Sequence, residues 1–155
     1  MSNVEMVFGD EHENLVVIMP SALRRFCIYK QLKKESSEAG GVLIGERRGQ
    51  HIVIWDISEP GIGDKRSRYS FDRLGKHHQK KINDAYSQSS GKMQYLGEWH
   101  THPEDHPKPS IIDKNTWHNH LPVILPMIVI IVGRESIWLA KKIKGDTSTM
   151  KLIET

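Results

Sequence analysis

The residues most able to do chemistry stand close together: His100, His102, Ser110 and Asp113. Residues 93–100 read as a β-strand, and side chains two apart on a strand point to the same face. His100 and His102 can therefore offer two imidazoles to one ion, while Trp99 and Thr101 face away. The loop that follows carries Pro103, Pro107 and Pro109 and can fold back, bringing Asp113 to the same ion from the first turn of a helix. Two imidazoles and a carboxylate leave one tetrahedral position for water, the arrangement of catalytic rather than structural zinc, with one zinc expected per chain. Zinc lowers the pKa of such a water toward 7 and polarises a carbonyl. Ser110 lies one helical turn before Asp113, so its hydroxyl can sit beside the metal and donate to an oxygen that gains charge in the transition state. It can also simply cap the helix, with Asp113 as the third residue of a capping box, and the two roles are compatible. Two histidines in a chain with nine could be ordinary surface residues. The proline, serine and aspartate at fixed spacing make metal binding the stronger reading.

The elements that must hold these groups follow from periodicity. Residues 14–19 read as a short strand, and Pro20-Ser21 starts a helix in which Ala22, Leu23, Phe26, Cys27 and Tyr29 recur at helical spacing. Residues 41–47 and 51–58 read as two strands joined by a turn at Arg48-Gly49-Gln50. Residues 60–68 read as an exposed loop. Residues 72–87 read as a second helix, with Leu74, His78, Ile82, Ala85 and Tyr86 as its apolar stripe and Lys76, His77, Lys80 and Lys81 toward water. Ser110 caps a short helix running toward His120. Residues 126–132 are apolar on both faces and read as a central strand, and residues 136–141 as another. This order predicts an α/β sandwich, a mixed β-sheet flanked by helices, in a single domain spanning residues 1–155.

Composition excludes several classes. With 37% apolar and 26% charged residues the chain is not a disordered one. A formal charge of +3 is too weak and too scattered to argue for nucleic acid. The start of the chain, residues 1–13, lacks the layout of a signal peptide, and the longest apolar run, residues 121–132, is too short to span a bilayer. The single cysteine, Cys27, cannot staple the fold, and its expected place is a buried one in a reducing, cytoplasmic compartment.

The pattern His-x-His-Pro, six residues, Ser, two residues, Asp resembles the JAMM motif of the JAB/MPN metalloprotease family. The likeness extends to Glu38-Ala39-Gly40-Gly41-Val42-Leu43-Ile44-Gly45 and covers most of residues 14–141. The resemblance implies a JAB1/MPN-type sandwich, cytidine-deaminase-like, and an isopeptidase or peptidase. It also implies that Glu38, in the place where the family has a glutamate before a Gly-aliphatic-Leu-x-Gly strand, is the general base. The run Gly97-Glu98-Trp99-His100-Thr101-His102-Pro103-Glu104, with Asp113 and Trp117, is similar to small bacterial JAB proteins of type II CBASS anti-phage operons. That subgroup implies cleavage after the C-terminus of a cGAS-like nucleotidyltransferase that an E1/E2-like enzyme has joined to targets. Other readings are a JAMM peptidase of a ubiquitin-like or sulfur-carrier system, or an inactive MPN scaffold. The scaffold is disfavoured because the ligands and the glutamate are all kept.

Glu46, at the far end of the same strand as Glu38, is too distant to be the base. Glu98, on the His100 face, could orient a ligand imidazole or be a solvated strand residue. His106, between the ligands, could approach the zinc or the substrate, or be an exposed loop histidine. His78 reads as a packed histidine rather than a ligand. His118 and His120 do not share a helix face. Trp99 and Trp117 could wall a substrate groove or pack in the core. Sequence leaves the oligomeric state open.

Overall fold

The computed structural model describes residues 4–154, so Met1, Ser2 and Asn3 of the polar N-terminal stretch lie outside it. Its elements run β1 (Met6–Gly9), β2 (Leu15–Ile18), α1 (Pro20–Ile28), β3 (Gly40–Arg48), β4 (His51–Ile57), β5 (Lys65–Ser67), β6 (Ser70–Asp72), α2 (His77–Gln88), β7 (Gln94–Thr101), α3 (Ile111–His120), β8 (Met127–Val132), β9 (Ile137–Ile143), β10 (Asp146–Thr149) and β11 (Lys151–Glu154). Nine strands form one mixed sheet in the order β10-β9-β8-β7-β3-β4-β2-β1-β11, and β5 pairs with β6 in a separate hairpin.

The strand β8, Met-Ile-Val-Ile-Ile-Val, is buried at all six positions, as its two-sided apolar sequence predicts. It pairs parallel with β7 and antiparallel with β9. A parallel neighbour needs a crossover connection, and α3 lies in it. The sheet separates two cores. One gathers Phe8, Ile18, Phe26, Ile54, Leu96 and Trp99, with α1 contributing Ala22 and Phe26. The other gathers Trp117, Leu121, Met127, Val129, Ile131 and Ala140 beneath α3. In β7, Trp99 and Thr101 are buried while His100 is half-buried, so the alternation of the strand holds as expected.

Gly97 is required where β7 passes between its neighbours. Its φ is 147°, and a Cβ built there would lie 1.8 Å from the Ile128 carbonyl oxygen. Gly97→Ala is therefore expected to cost about 3 kcal/mol or more, through a clash with backbone and a strained φ. Urea unfolding measures this, and an unchanged midpoint would show that the strand can absorb a methyl group.

Several expectations are corrected. The second helix starts at His77 rather than Asp72, because residues 70–72 pair in β6 and Leu74 is exposed. Residues 60–68 are not all loop, since 65–67 form β5. Cys27 is half-buried rather than buried, because α1 turns Ala22 and Phe26 to the core instead. The strands β1, β10 and β11 were not anticipated; β10, Asp-Thr-Ser-Thr, is exposed throughout and carries no apolar alternation to read.

Candidate metal centre and active site

Four side chains converge where β7 ends. His100 is on β7, and His102 follows it with its N–H bonded to the Val132 carbonyl at the end of β8. The loop of residues 103–109 is stitched to the turn after β8: Arg134 N–H donates to the Glu104 carbonyl, the N–H groups of Glu135 and Ser136 donate to the Asp105 carbonyl, and the Arg134 guanidinium pairs with Asp105 at 2.8 Å. That loop delivers Ser110 as the N-cap of α3. Ser110 Oγ accepts from Asp113 N–H at 3.0 Å, and Asp113 Oδ2 accepts from Ser110 N–H at 2.9 Å. The capping box thus fixes the Asp113 carboxylate.

The donor atoms meet closely. Asp113 Oδ1 is 3.2 Å from His100 Nε2, Asp113 Oδ2 is 3.1 Å from His102 Nε2, and the two Nε2 atoms are 3.2 Å apart. Ligands held at about 2.0–2.1 Å from a tetrahedral zinc lie roughly 3.3 Å from one another, so the donor set fits such an ion. His102 Nδ1 is 2.7 Å from Glu104 Oε1, leaving Nε2 to face the centre. A carboxylate behind a ligand imidazole in this way fixes its tautomer and raises its basicity. Burial disfavours the charged imidazolium of His102, but its hydrogen bonds to Asp113 and Glu104 outweigh this and raise its pKa. Burial likewise opposes ionisation of Asp113, yet the hydrogen bonds from His100 and His102 hold its carboxyl well below the usual range.

Glu38 faces the same centre across a cleft of about 950 Å³ lined also by Tyr69, Arg73, Ser110 and Thr116. The antiparallel register sets it there: Gly40 pairs with His100 and Gly41 with Trp99, so the residue two before Gly40 comes up beside His102. Its backbone N–H donates to the Ser67 carbonyl of β5, and its neighbour Ala39 is bonded to Thr101 through both N–H and C=O. Glu38 is only 6% exposed, and burial pushes its carboxyl up to about 7 although His100 and His102 pull it down. The folded metal-free chain thus keeps a proton that the unfolded chain gives up above about pH 4.3. Its contribution to stability falls as pH rises from there toward 7. Metal-free Glu38→Gln is expected to exceed the parent in stability by on the order of 3 kcal/mol at pH 8 and to match it at pH 4. Parallel urea curves at both pH values test this, and equal midpoints at pH 8 would remove the raised pKa.

The competing residues fall elsewhere. Glu98 accepts from the Arg73 guanidinium at 2.8 Å and from the Tyr95 hydroxyl at 3.2 Å, so it orients neither imidazole. Glu46 pairs with Arg48. His106 is exposed and bonded to Ser136 Oγ, turned from the centre. Trp99 and Trp117 are both core residues that also reach the cleft wall.

His77 and His78 do not diverge as expected. Their rings lie 3.9 Å apart, and both Nε2 atoms approach Asp64 Oδ2, at 3.7 and 2.8 Å. His78 is buried between Asp64 and Ser58 Oγ, and His77 bonds to the Glu59 carbonyl at 2.6 Å. Asp64 also accepts from the N–H groups of Gly61, Leu74 and Gly75. This hub ties down the segment that ends in the cleft wall. It was missed because its parts come from a loop and a helix start; a signal was the aspartate amid the glycines Gly61, Gly63 and Gly75.

A mixed sheet with two histidines at a strand end, a capped aspartate and a buried glutamate describes a JAB-type domain. The chain belongs to the family of prokaryotic homologs of the JAB domain, matched over residues 20–141. It is 52% identical over 151 residues to the CD-NTase/cGAS isopeptidase of Escherichia coli strain TW11681, covering 97% of each chain. It is 50% identical to the protein of the same description from Vibrio cholerae O1 El Tor Inaba N16961, covering 100% of this chain and 99% of that one. A Pseudomonas aeruginosa relative so described, from strain BWHPSA011, is 36% identical over 84% of this chain and 85% of its own. Among solved structures, the fold is similar to a Desulfitobacterium hafniense protein, with a TM-score of 0.63, 17% identity, and coverage of 85% of this chain and 87% of that one.

Proposed function

We propose that the chain, as a single catalytic domain, is a zinc-dependent isopeptidase. In this reading it cuts after the C-terminal tail of a conjugated cGAS-like nucleotidyltransferase and so reverses an E1/E2-like ligation in CBASS anti-phage defence. The observation that carries it is the convergence of His100 Nε2, His102 Nε2 and the Asp113 carboxylate within 3.1–3.2 Å of one another, facing the buried Glu38. Full-length relatives at half identity that are described as CD-NTase/cGAS isopeptidases support the choice of substrate.

His100, His102 and Asp113 hold the zinc, which when bound supplies a Lewis acid that acidifies water and polarises a carbonyl. Glu38, with a carboxyl balanced near neutrality in the metal-free chain, takes a proton from the attacking water and passes it to the nitrogen of the leaving amine. The Ser110 hydroxyl proton is not needed for the cap, because Oγ accepts there. It donates to the carbonyl oxygen as that oxygen gains charge. Among the described residues no helix is long and apolar enough to cross a membrane. We place the enzyme in the cytoplasm, where a lone unpaired cysteine is at home.

The test fuses the C-terminus of a CBASS nucleotidyltransferase, and separately ubiquitin, to one reporter. With enzyme and zinc, the reporter is expected to leave the first fusion and much less of the second. Equal release from both would refute the substrate assignment. Release from ubiquitin alone would move the chain to a ubiquitin-like system with its chemistry intact.

A further inference from the structure

The helix that carries Asp113 has little hold on the protein. Of the ten residues of α3 only Trp117 is buried, and Ile111 and Ile112 are 78% and 76% exposed. The C-cap is Leu121, with no glycine to close the end. Trp117 stacks on Trp138 of β9 at 5.7 Å and 7°, and its ring lies 6.1 Å from that of His100.

The second hold is a buried cation. Lys142 of β9 is 2% exposed, and Nζ donates to the Trp117 carbonyl at 2.8 Å. Among the described residues no carboxylate pairs with it. An ammonium in an apolar core is unfavourable without compensation. Here the compensation is the negative end of α3: the Trp117 carbonyl accepts from Lys142 Nζ as well as from Leu121 N–H at 3.2 Å, and the helix dipole favours a cation there. Its neighbour Lys141 has an ordinary explanation, a 2.8 Å ion pair with Asp10.

We infer that Lys142 is a positioning residue for the metal centre: it straps the C-terminal end of α3 to β9 and so holds Asp113 in register with His100 and His102. This rests on the ligand assignment proposed above. Lys142 touches neither the metal nor the substrate; it acts through α3, whose other end is fixed by the Ser110 capping box.

The test compares Lys142→Met, which keeps the length of the stem and removes the ammonium, with Lys141→Met, which removes the other buried lysine of β9. In the metal-free chain, amide exchange across α3 and at Leu121 is expected to quicken in Lys142→Met while β7, β8 and β9 keep their protection. Zinc affinity, read by chelator competition, is expected to weaken about 10- to 100-fold, as for other partners that orient ligands, and kcat to fall with KM held. Lys141→Met is expected to change neither α3 exchange nor zinc affinity. Unchanged α3 exchange and affinity in Lys142→Met overturns the inference. So does loss of protection throughout the sheet, which would make the lysine a general core element. Full zinc in Asp113→Ala would sink the ligand assignment instead, and the exchange experiment on the metal-free chain separates the two.

Discussion

Glu38→Gln is expected to bind zinc as the parent does and to lose about 10²- to 10⁴-fold in kcat, the range for a positioned general acid–base group. The amide fills the same buried space beside His100 and His102 but cannot cycle a proton. Zinc content separates this from loss of the metal, and the fold is expected to survive because the neutral amide replaces a carboxyl that burial already drives toward its neutral form. Turnover at the parent rate would remove Glu38 from the mechanism. The two competing carboxylates are engaged elsewhere: Glu98 is bonded to Arg73 and Tyr95, and Glu46 to Arg48.

Asp113→Ala has the largest expected effect. It removes one proposed ligand and one half of the capping box, since Ser110 N–H loses its acceptor. Zinc is expected to leave, and activity to fall by about 10⁴-fold or more, because the several kcal/mol of charge stabilisation from a Lewis acid goes with it. His100→Ala is expected to do the same with α3 intact. A chelator should reproduce both, and alkylation of Cys27 should do nothing. Elemental analysis that finds full zinc in either variant would reject that residue as a ligand.

The convergence of His100, His102 and Asp113 was legible because they lie within fourteen positions, on a strand, a loop and a capped helix whose local signals are strong. The two-sided apolar strand β8 and the proline-started α1 were legible for the same local reason. Glu38 was not legible from spacing. It stands sixty-two positions before His100, and only the pairing of Gly40 with His100 brings it there, so its role came from family resemblance. The start of α2 was misread because Leu74 and Asp72 fit a helical stripe, while pairing within the β5–β6 hairpin decides otherwise. The hub of Asp64, His77 and His78 and the strap of Lys142 depend on contacts between distant segments. A lysine near the end of a strand looks like a solvated residue until the helix end above it is known.

The stacked indoles of Trp117 and Trp138 have an optical consequence. Two parallel rings 5.7 Å apart share excitation, and one of them stands against the imidazole of His100. Their emission and near-ultraviolet dichroism therefore report on the ring geometry of α3 against β9. An ion bound at His100 is expected to change that signal, so its binding can be followed in the protein's own light, with no label, from two of its four tryptophans.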